Sequence, residues 1–180
     1  MARDRMRLDK VLFVPAGEPP HRSRGPFACA EDRYRMVKLS LPPEGGLAAS
    51  RIEIDRPGPS YAIDTVAELQ RSRPSAEFVY VIGADAVLEI MTWHRPRELL
   101  DMVDFCAVRR PGARLTPSRL EAIVGREAAR RITIVGGPGV DVSSSEIRRR
   151  VRDGETIRFL VPGPARAYIE EHGLYRSLES

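Results

Sequence analysis

The chain has 180 residues, 42% of them hydrophobic, with 29 basic against 25 acidic side chains and a formal net charge of +4. That is enough for one domain with a real core, and no apolar run approaches the ~20 residues a membrane helix needs. Cys29 and Cys106 stand far apart without zinc-type spacing, the only lysines are Lys10 and Lys38, and no aromatic-interleaved basic stripe occurs. A disulfide scaffold, a structural zinc motif and a nucleic-acid-binding module are therefore all disfavoured. No apolar segment of signal-peptide form follows Met1, so the cytoplasm is the expected compartment.

In chain order, Met1 to Arg7 reads as the tail of a helix, and Val11-Leu12-Phe13-Val14-Pro15 as a short buried strand closed by proline. Tyr34, Val37 and Leu41 take helical spacing from Ala30 until Pro42-Pro43. Arg51 to Asp55 alternates polar with apolar and is expected as an edge strand. Ile63, Val66, Ala67 and Gln70 stripe a helix that Pro74 closes, and Phe78 to Ile82 is a second buried strand ending at Gly83. Helices over Ala84 to Ile90 and Pro96 to Met102 follow, then a third buried strand, Phe105 to Val108. A helix over Ser118 to Arg130 and a fourth strand, Ile132 to Val135, come next. Helices over Ser144 to Arg152 and Pro164 to His172 finish the chain, the last stopped by Gly173. Apolar strands alternating with helices predict a single α/β domain over residues 1–180, a doubly wound parallel sheet with helices on both faces.

In such a sheet the ligand crevice lies at the carboxyl ends of the strands. After the first strand a stiff proline-bearing loop presents His21 and Arg22; after the second come Gly83 and Asp85, with Trp93 and His94 nearby. The third ends in Arg109-Arg110-Pro111-Gly112, and the fourth in Gly136, Gly137 and Gly139 before Ser143-Ser144-Ser145-Glu146-Ile147-Arg148. Each has an ordinary explanation: a surface turn, a capping aspartate, a core tryptophan, a capping box of Ser143 with Glu146. Together, four successive strand ends carry groups suited to phosphate, ribose and an aromatic ring, which predicts a nucleotide site.

An ordered series carries a resemblance from about Leu8 to Tyr175: Val14-Pro15-Ala16-Gly17-Glu18-Pro19-Pro20-His21-Arg22, Arg33-Tyr34-Arg35-Met36, and Arg56-Pro57-Gly58-Pro59-Ser60-Tyr61-Ala62-Ile63-Asp64-Thr65. It continues with Ile82-Gly83-Ala84-Asp85, Thr92-Trp93-His94, Arg109-Arg110-Pro111-Gly112, the serine string to Arg148, and Gly173-Leu174-Tyr175. The chain resembles the bacterial nicotinate-nucleotide adenylyltransferases, of the H-x-G-H nucleotidyltransferase superfamily. The resemblance implies a Rossmann-like nucleotidyltransferase fold and AMP transfer from ATP to nicotinate mononucleotide in NAD biosynthesis, with Mg²⁺ bound along with ATP. No nucleic-acid or membrane partner is implied, and a homo-oligomer is left open.

By matched position it assigns Ser143, Ser144, Ser145 and Arg148 to the ATP phosphates, Arg148 being the catalytic cation, and Gly83 with Asp85 to the adenosine side. Trp93 would stack on the pyridine ring, and backbone near His94 would meet the nicotinate carboxylate. Ser60 and Tyr61 would belong to the substrate side. His21, Arg22, Arg109 and Arg110 would face phosphates, with no protein metal ligand implied. Ala62 stands where the family commonly has threonine, and Ser145 replaces a threonine with its hydroxyl kept. The family's opening strand and G-G-x-F-D-P-x-H-x-G-H loop do not occur in these residues. The first strand of the fold is thus expected to be missing here, and the natural protein to begin upstream. Two other readings stay open: a nucleotide-binding short form without catalysis, and another nucleotidyltransferase of the superfamily.

Overall fold

The computed structural model describes residues 1–20, 28–109, 115–137 and 142–176. They fall into two compact units, one of Met1–Asp9 with Tyr61–Asp141, the other of Lys10–Ser60 with Val142–Ser180.

The first unit holds a parallel three-stranded sheet, β3 (Val79–Gly83), β4 (Asp104–Val108) and β5 (Ile132–Val135), in the order β3-β4-β5. Its helices are α1 (Ala2–Arg5), α3 (Ala62–Ser72), α4 (Ala84–Val87), α5 (Pro96–Met102), α6 (Pro117–Val124) and α7 (Arg126–Arg130). β4 is the middle strand, and Phe105, Cys106 and Ala107 are each fully buried. The sequence expectation of continuous burial holds there and fails at β3, where Val81 is 38% exposed. Successive strand side chains point to opposite faces of the sheet, and Val81 lies on the face opposite the buried Ile82. Ile63 and Val66 of α3 join Leu99 and Leu100 of α5 and Phe105 of β4 in one core, each large side chain contributing ~1.5–3 kcal/mol by its burial.

Two helices differ from the periodicity reading. Ser118 to Arg130 is broken at Gly125, whose φ of 85° no ordinary residue adopts cheaply, so α6 and α7 are separate. Ala84 to Ile90 is a single α-turn followed by a 3₁₀ turn at Ile90–Thr92. α5 begins as its sequence indicates, with Pro96 in the first turn, where its missing N–H costs nothing.

The second unit pairs β1 (Val11–Phe13) in parallel with β2 (Leu47–Ala49) and carries α2 (Ala30–Ser40), α8 (Ser144–Arg152) and α9 (Gly163–Glu171). α2 packs on α9, with Tyr168 Oη donating to Asp32 Oδ1 at 2.9 Å. Ile147, Ile157 and Ile169 form the small core. The strand expected at Arg51 to Asp55 is a turn closed by Asp55 N donating to Arg51 O at 2.9 Å. Arg51 reaches Asp55 and, at 2.7 Å, Glu31. The strand lies instead at Leu47-Ala48-Ala49. β1 is shorter and more open than its apolar run suggests, ending at Phe13, which is 40% exposed. No described helix is long and apolar enough to cross a membrane.

Candidate functional site

In the first unit the candidates gather after β3 and β4. Gly83 caps α4 with an ordinary φ of −68°, and a side chain there would meet nothing within 4 Å. What glycine leaves at this strand end is open space against the backbone. Asp85 lies exposed in the first turn of α4. Trp93 follows the 3₁₀ turn, half-buried, with its ring edge-on to Tyr80 at a centroid distance of 6.2 Å. The same indole rests on the core cluster, so packing and an accessible aromatic surface coexist in one residue. His94 is exposed and stacks on Tyr61 at 4.2 Å, with the planes 27° apart. That pairing was not legible in the sequence, where the two rings stand 33 positions apart.

Arg109 leaves β4 with its backbone N–H bonded to Val135 O at 2.9 Å. Its guanidinium lies along Gly136, where a Cβ would stand only 3.2 Å from Nη2. The glycine after β5 therefore makes room for an arginine after β4. Arg110 lies outside the described residues, as do His21, Arg22 and Gly139.

In the second unit Ser143 is the N-cap of α8, its Oγ accepting from Glu146 N at 3.1 Å. The capping-box reading is corrected in its other half. The Glu146 carboxylate turns to Arg149, at 2.9 and 3.0 Å, and to Arg150 at 2.8 Å. Arg149 also reaches Asp153 and Glu155. The Arg149 and Arg150 guanidiniums hold the Glu146 carboxyl down at about 2. Two arginines of the Arg148-Arg149-Arg150 run are thus engaged with carboxylates. Arg148 takes a different direction, its Nη2 donating to Ser145 Oγ at 3.3 Å. Ser144 and Ser145 are exposed at the helix start, where unpaired N–H groups and about half a positive charge favour an anion. Burial pushes the nearby Tyr175 phenol up, against the pull of Arg148 and Arg33.

Ser60 is buried, and its Oγ accepts from Gly17 N at 2.9 Å and Glu18 N at 3.1 Å. Ser60 N donates to Glu18 O at 2.8 Å. Arg33, which carried no assigned role in the sequence reading, donates to the carbonyl oxygens of Ala16, Gly17 and Ala28. Among the described residues, no group of three or more His, Cys, Asp and Glu side chains is placed to hold a metal ion.

Residues 1–150 match the family model described as cytidylyltransferase-like. A probable nicotinate-nucleotide adenylyltransferase of Thermus thermophilus is 41% identical over 175 residues, covering 97% of this chain and 88% of that protein. One of Moorella thermoacetica is 42% identical over 179 residues, covering 97% and 82%. Among solved structures, Plasmodium falciparum nicotinic acid mononucleotide adenylyltransferase complexed with NaAD superposes with a TM-score of 0.76 at 16% identity, covering 93% of this chain and 82% of that one. A second structure of it, complexed with APC, gives 0.75. At that identity the superposition establishes the Rossmann-like nucleotidyltransferase fold.

Proposed function

This chain belongs to the nicotinate-nucleotide adenylyltransferases, within the cytidylyltransferase-like proteins, and from that premise we propose that it transfers AMP from ATP to nicotinate mononucleotide. The products are nicotinate adenine dinucleotide and pyrophosphate. The observation that carries the reading is identity of about 40% sustained over nearly the whole chain. We further propose that it works in the cytoplasm as a single nucleotidyltransferase domain, on small molecules alone.

The chemistry is an in-line displacement. A phosphate oxygen of the mononucleotide forms a bond to the α-phosphorus of ATP as the bond to the bridging oxygen of pyrophosphate breaks. Positioning and charge neutralisation are then the protein's task. At α8, the N–H groups, the Ser144 and Ser145 hydroxyls and the Arg148 guanidinium would hold the triphosphate, with Ser143 keeping the helix start closed. Arg148 would neutralise charge developing on the leaving pyrophosphate. The open backbone at Gly83 and the Asp85 carboxylate suit adenosine, the carboxylate accepting from ribose hydroxyls. Trp93 would stack on the pyridine ring, with the Tyr61–His94 pair beside the carboxylate it bears. Arg109, Arg110, His21 and Arg22 would meet phosphates. Mg²⁺ would enter bound to ATP, on the phosphates that Ser144, Ser145 and Arg148 would hold. That ion would add charge neutralisation at the phosphates.

The test is pyrophosphate release with ATP and a panel of acceptors. Nicotinate mononucleotide should be the preferred one; preference for phosphopantetheine, or release independent of any acceptor, would overturn the reading.

A further inference from the structure

We infer that Arg33 and Ser60 act together as positioning residues, gripping the Ala16-Gly17-Glu18 turn after β1 from opposite sides so that it is held ready for a phosphate-bearing substrate. The inference rests on the adenylyltransferase reading and extends it to two residues whose side chains are turned to backbone.

The geometry concerns two successive peptide groups. In the first, Ala16 O accepts from Arg33 Nη2 while Gly17 N–H donates to Ser60 Oγ at 2.9 Å. In the second, Gly17 O accepts from the same Nη2 at 2.9 Å while Glu18 N–H donates to the same Oγ at 3.1 Å. Each peptide is therefore tied at both its oxygen and its N–H, by one guanidinium and one hydroxyl. The two N–H groups converge on a single oxygen, so the Ser60 hydroxyl fixes both peptides at once.

Two further contacts remove the remaining freedom. Ser60 N donates to Glu18 O at 2.8 Å, and the backbone of Glu53 lies so close to Gly17 that a Cβ there would stand 2.0 Å from Glu53 O. Arg33 Nη1 also holds Ala28 O at 2.6 Å. Among the described residues the Arg33 hydrogen bonds all go to carbonyl oxygens, and its Nε is buried without a partner. A guanidinium left without a carboxylate and with an unused N–H is an unfavourable way merely to stabilise a fold. It is a sensible way to fix backbone while keeping a positive charge in place. The turn also lies where parallel sheets bind ligands, at the carboxyl end of a strand. The Arg33 and Arg148 charges both pull on the Tyr175 phenol. A rigid turn there saves the ordering cost that a flexible one would impose on binding.

The experiment uses Arg33→Lys, Ser60→Ala and the double variant. Lysine keeps the charge but cannot fork to three carbonyls. Dissociation constants for ATP and for nicotinate mononucleotide are measured separately by calorimetry, and exchange of the Gly17 and Glu18 amides by hydrogen–deuterium exchange. Each single variant should speed those two amides by about tenfold or more and weaken at least one ligand by about fivefold or more; which one identifies the phosphate served. Because both residues grip the same peptides, the double variant should bind within about twofold of the weaker single variant. Faster exchange with both affinities unchanged would reduce the pair to scaffolding and overturn the inference, as would additive losses. A wild-type protein that binds neither ligand would instead overturn the adenylyltransferase reading.

Discussion

Replacing Trp93 by alanine separates the two tasks the indole combines. Its buried side rests on the first unit's core and meets Tyr80 edge-on at 6.2 Å. Removing a fully buried tryptophan costs ~3–5 kcal/mol, and well over half of the Trp93 surface is covered here. The stability loss should thus be about 2–4 kcal/mol, or a melting temperature lower by roughly 4–16 °C in a chain of this size. The other side is the proposed platform for the pyridine ring. An aromatic stack contributes ~1–3 kcal/mol per base, so affinity for nicotinate mononucleotide should fall by roughly 5- to 150-fold. ATP affinity should stay within about twofold, because no adenosine role falls on this residue. Trp93→Phe keeps a flat face and should recover most of the affinity but only part of the stability. Calorimetry with each ligand on the wild type and both variants, beside thermal melts, reads all of this. A Trp93→Ala protein that melts lower yet binds the mononucleotide normally would refute the stacking role and leave the indole as packing alone.

Three more outcomes follow from the same geometry. Gly136→Ala should push the Arg109 guanidinium off its bed, since the new Cβ would sit 3.2 Å from Nη2. Phosphate-ligand affinity should drop roughly 3–10-fold, about the net worth of one ordinary hydrogen bond, with the melting temperature nearly unchanged; unaltered affinity would remove Arg109 from the phosphate site. The Glu146 carboxyl is lowered from 4.5 to about 2, so its stabilisation is fully present above about pH 4.5 and is lost as the pH falls towards 2. Melts of wild type and Glu146→Gln should differ most above pH 4.5 and converge near pH 2, whereas parallel curves would contradict the network. Cys106 is fully buried and its thiol is pushed up by that burial, while Cys29 is exposed. A disulfide-exchange reagent should therefore titrate one thiol in the native protein and two in denaturant; two fast native thiols would place Cys106 wrongly.

Legibility from the sequence followed how local each determinant is. α5 and α8 announced themselves through Pro96 and Ser143, because a helix start is set by a few neighbouring residues. β4 and β5 were legible as apolar runs beside turn residues. β2 was not: Leu47-Ala48-Ala49 has weak strand propensity and is a strand because β1 lies alongside it. The alternation in Arg51 to Asp55 misled for the complementary reason. Arg51 pairs with Asp55 within a turn and with Glu31, and Glu53 is buried, so these side chains do not form the outer face of a sheet.

The candidate residues could be read in the same way only as far as each strand end. Gly83, Trp93 and the serine string stood out by type and position. The Tyr61–His94 stack and the grip of Arg33 and Ser60 on one turn join residues 33 and 27 positions apart, and nothing in spacing reveals them. Glu146 looked like half of a capping box, and only placement of Arg149 and Arg150 shows which partner its carboxylate takes.

The most direct test of adenylyl transfer follows the α-phosphorus. The gene product, as its own cells make it, is incubated with ATP labelled at that atom and with nicotinate mononucleotide, and the products are separated. The label should appear in a dinucleotide, in proportion to the pyrophosphate released and only when the mononucleotide is present. Label left in ATP, or released as free AMP, would contradict the account.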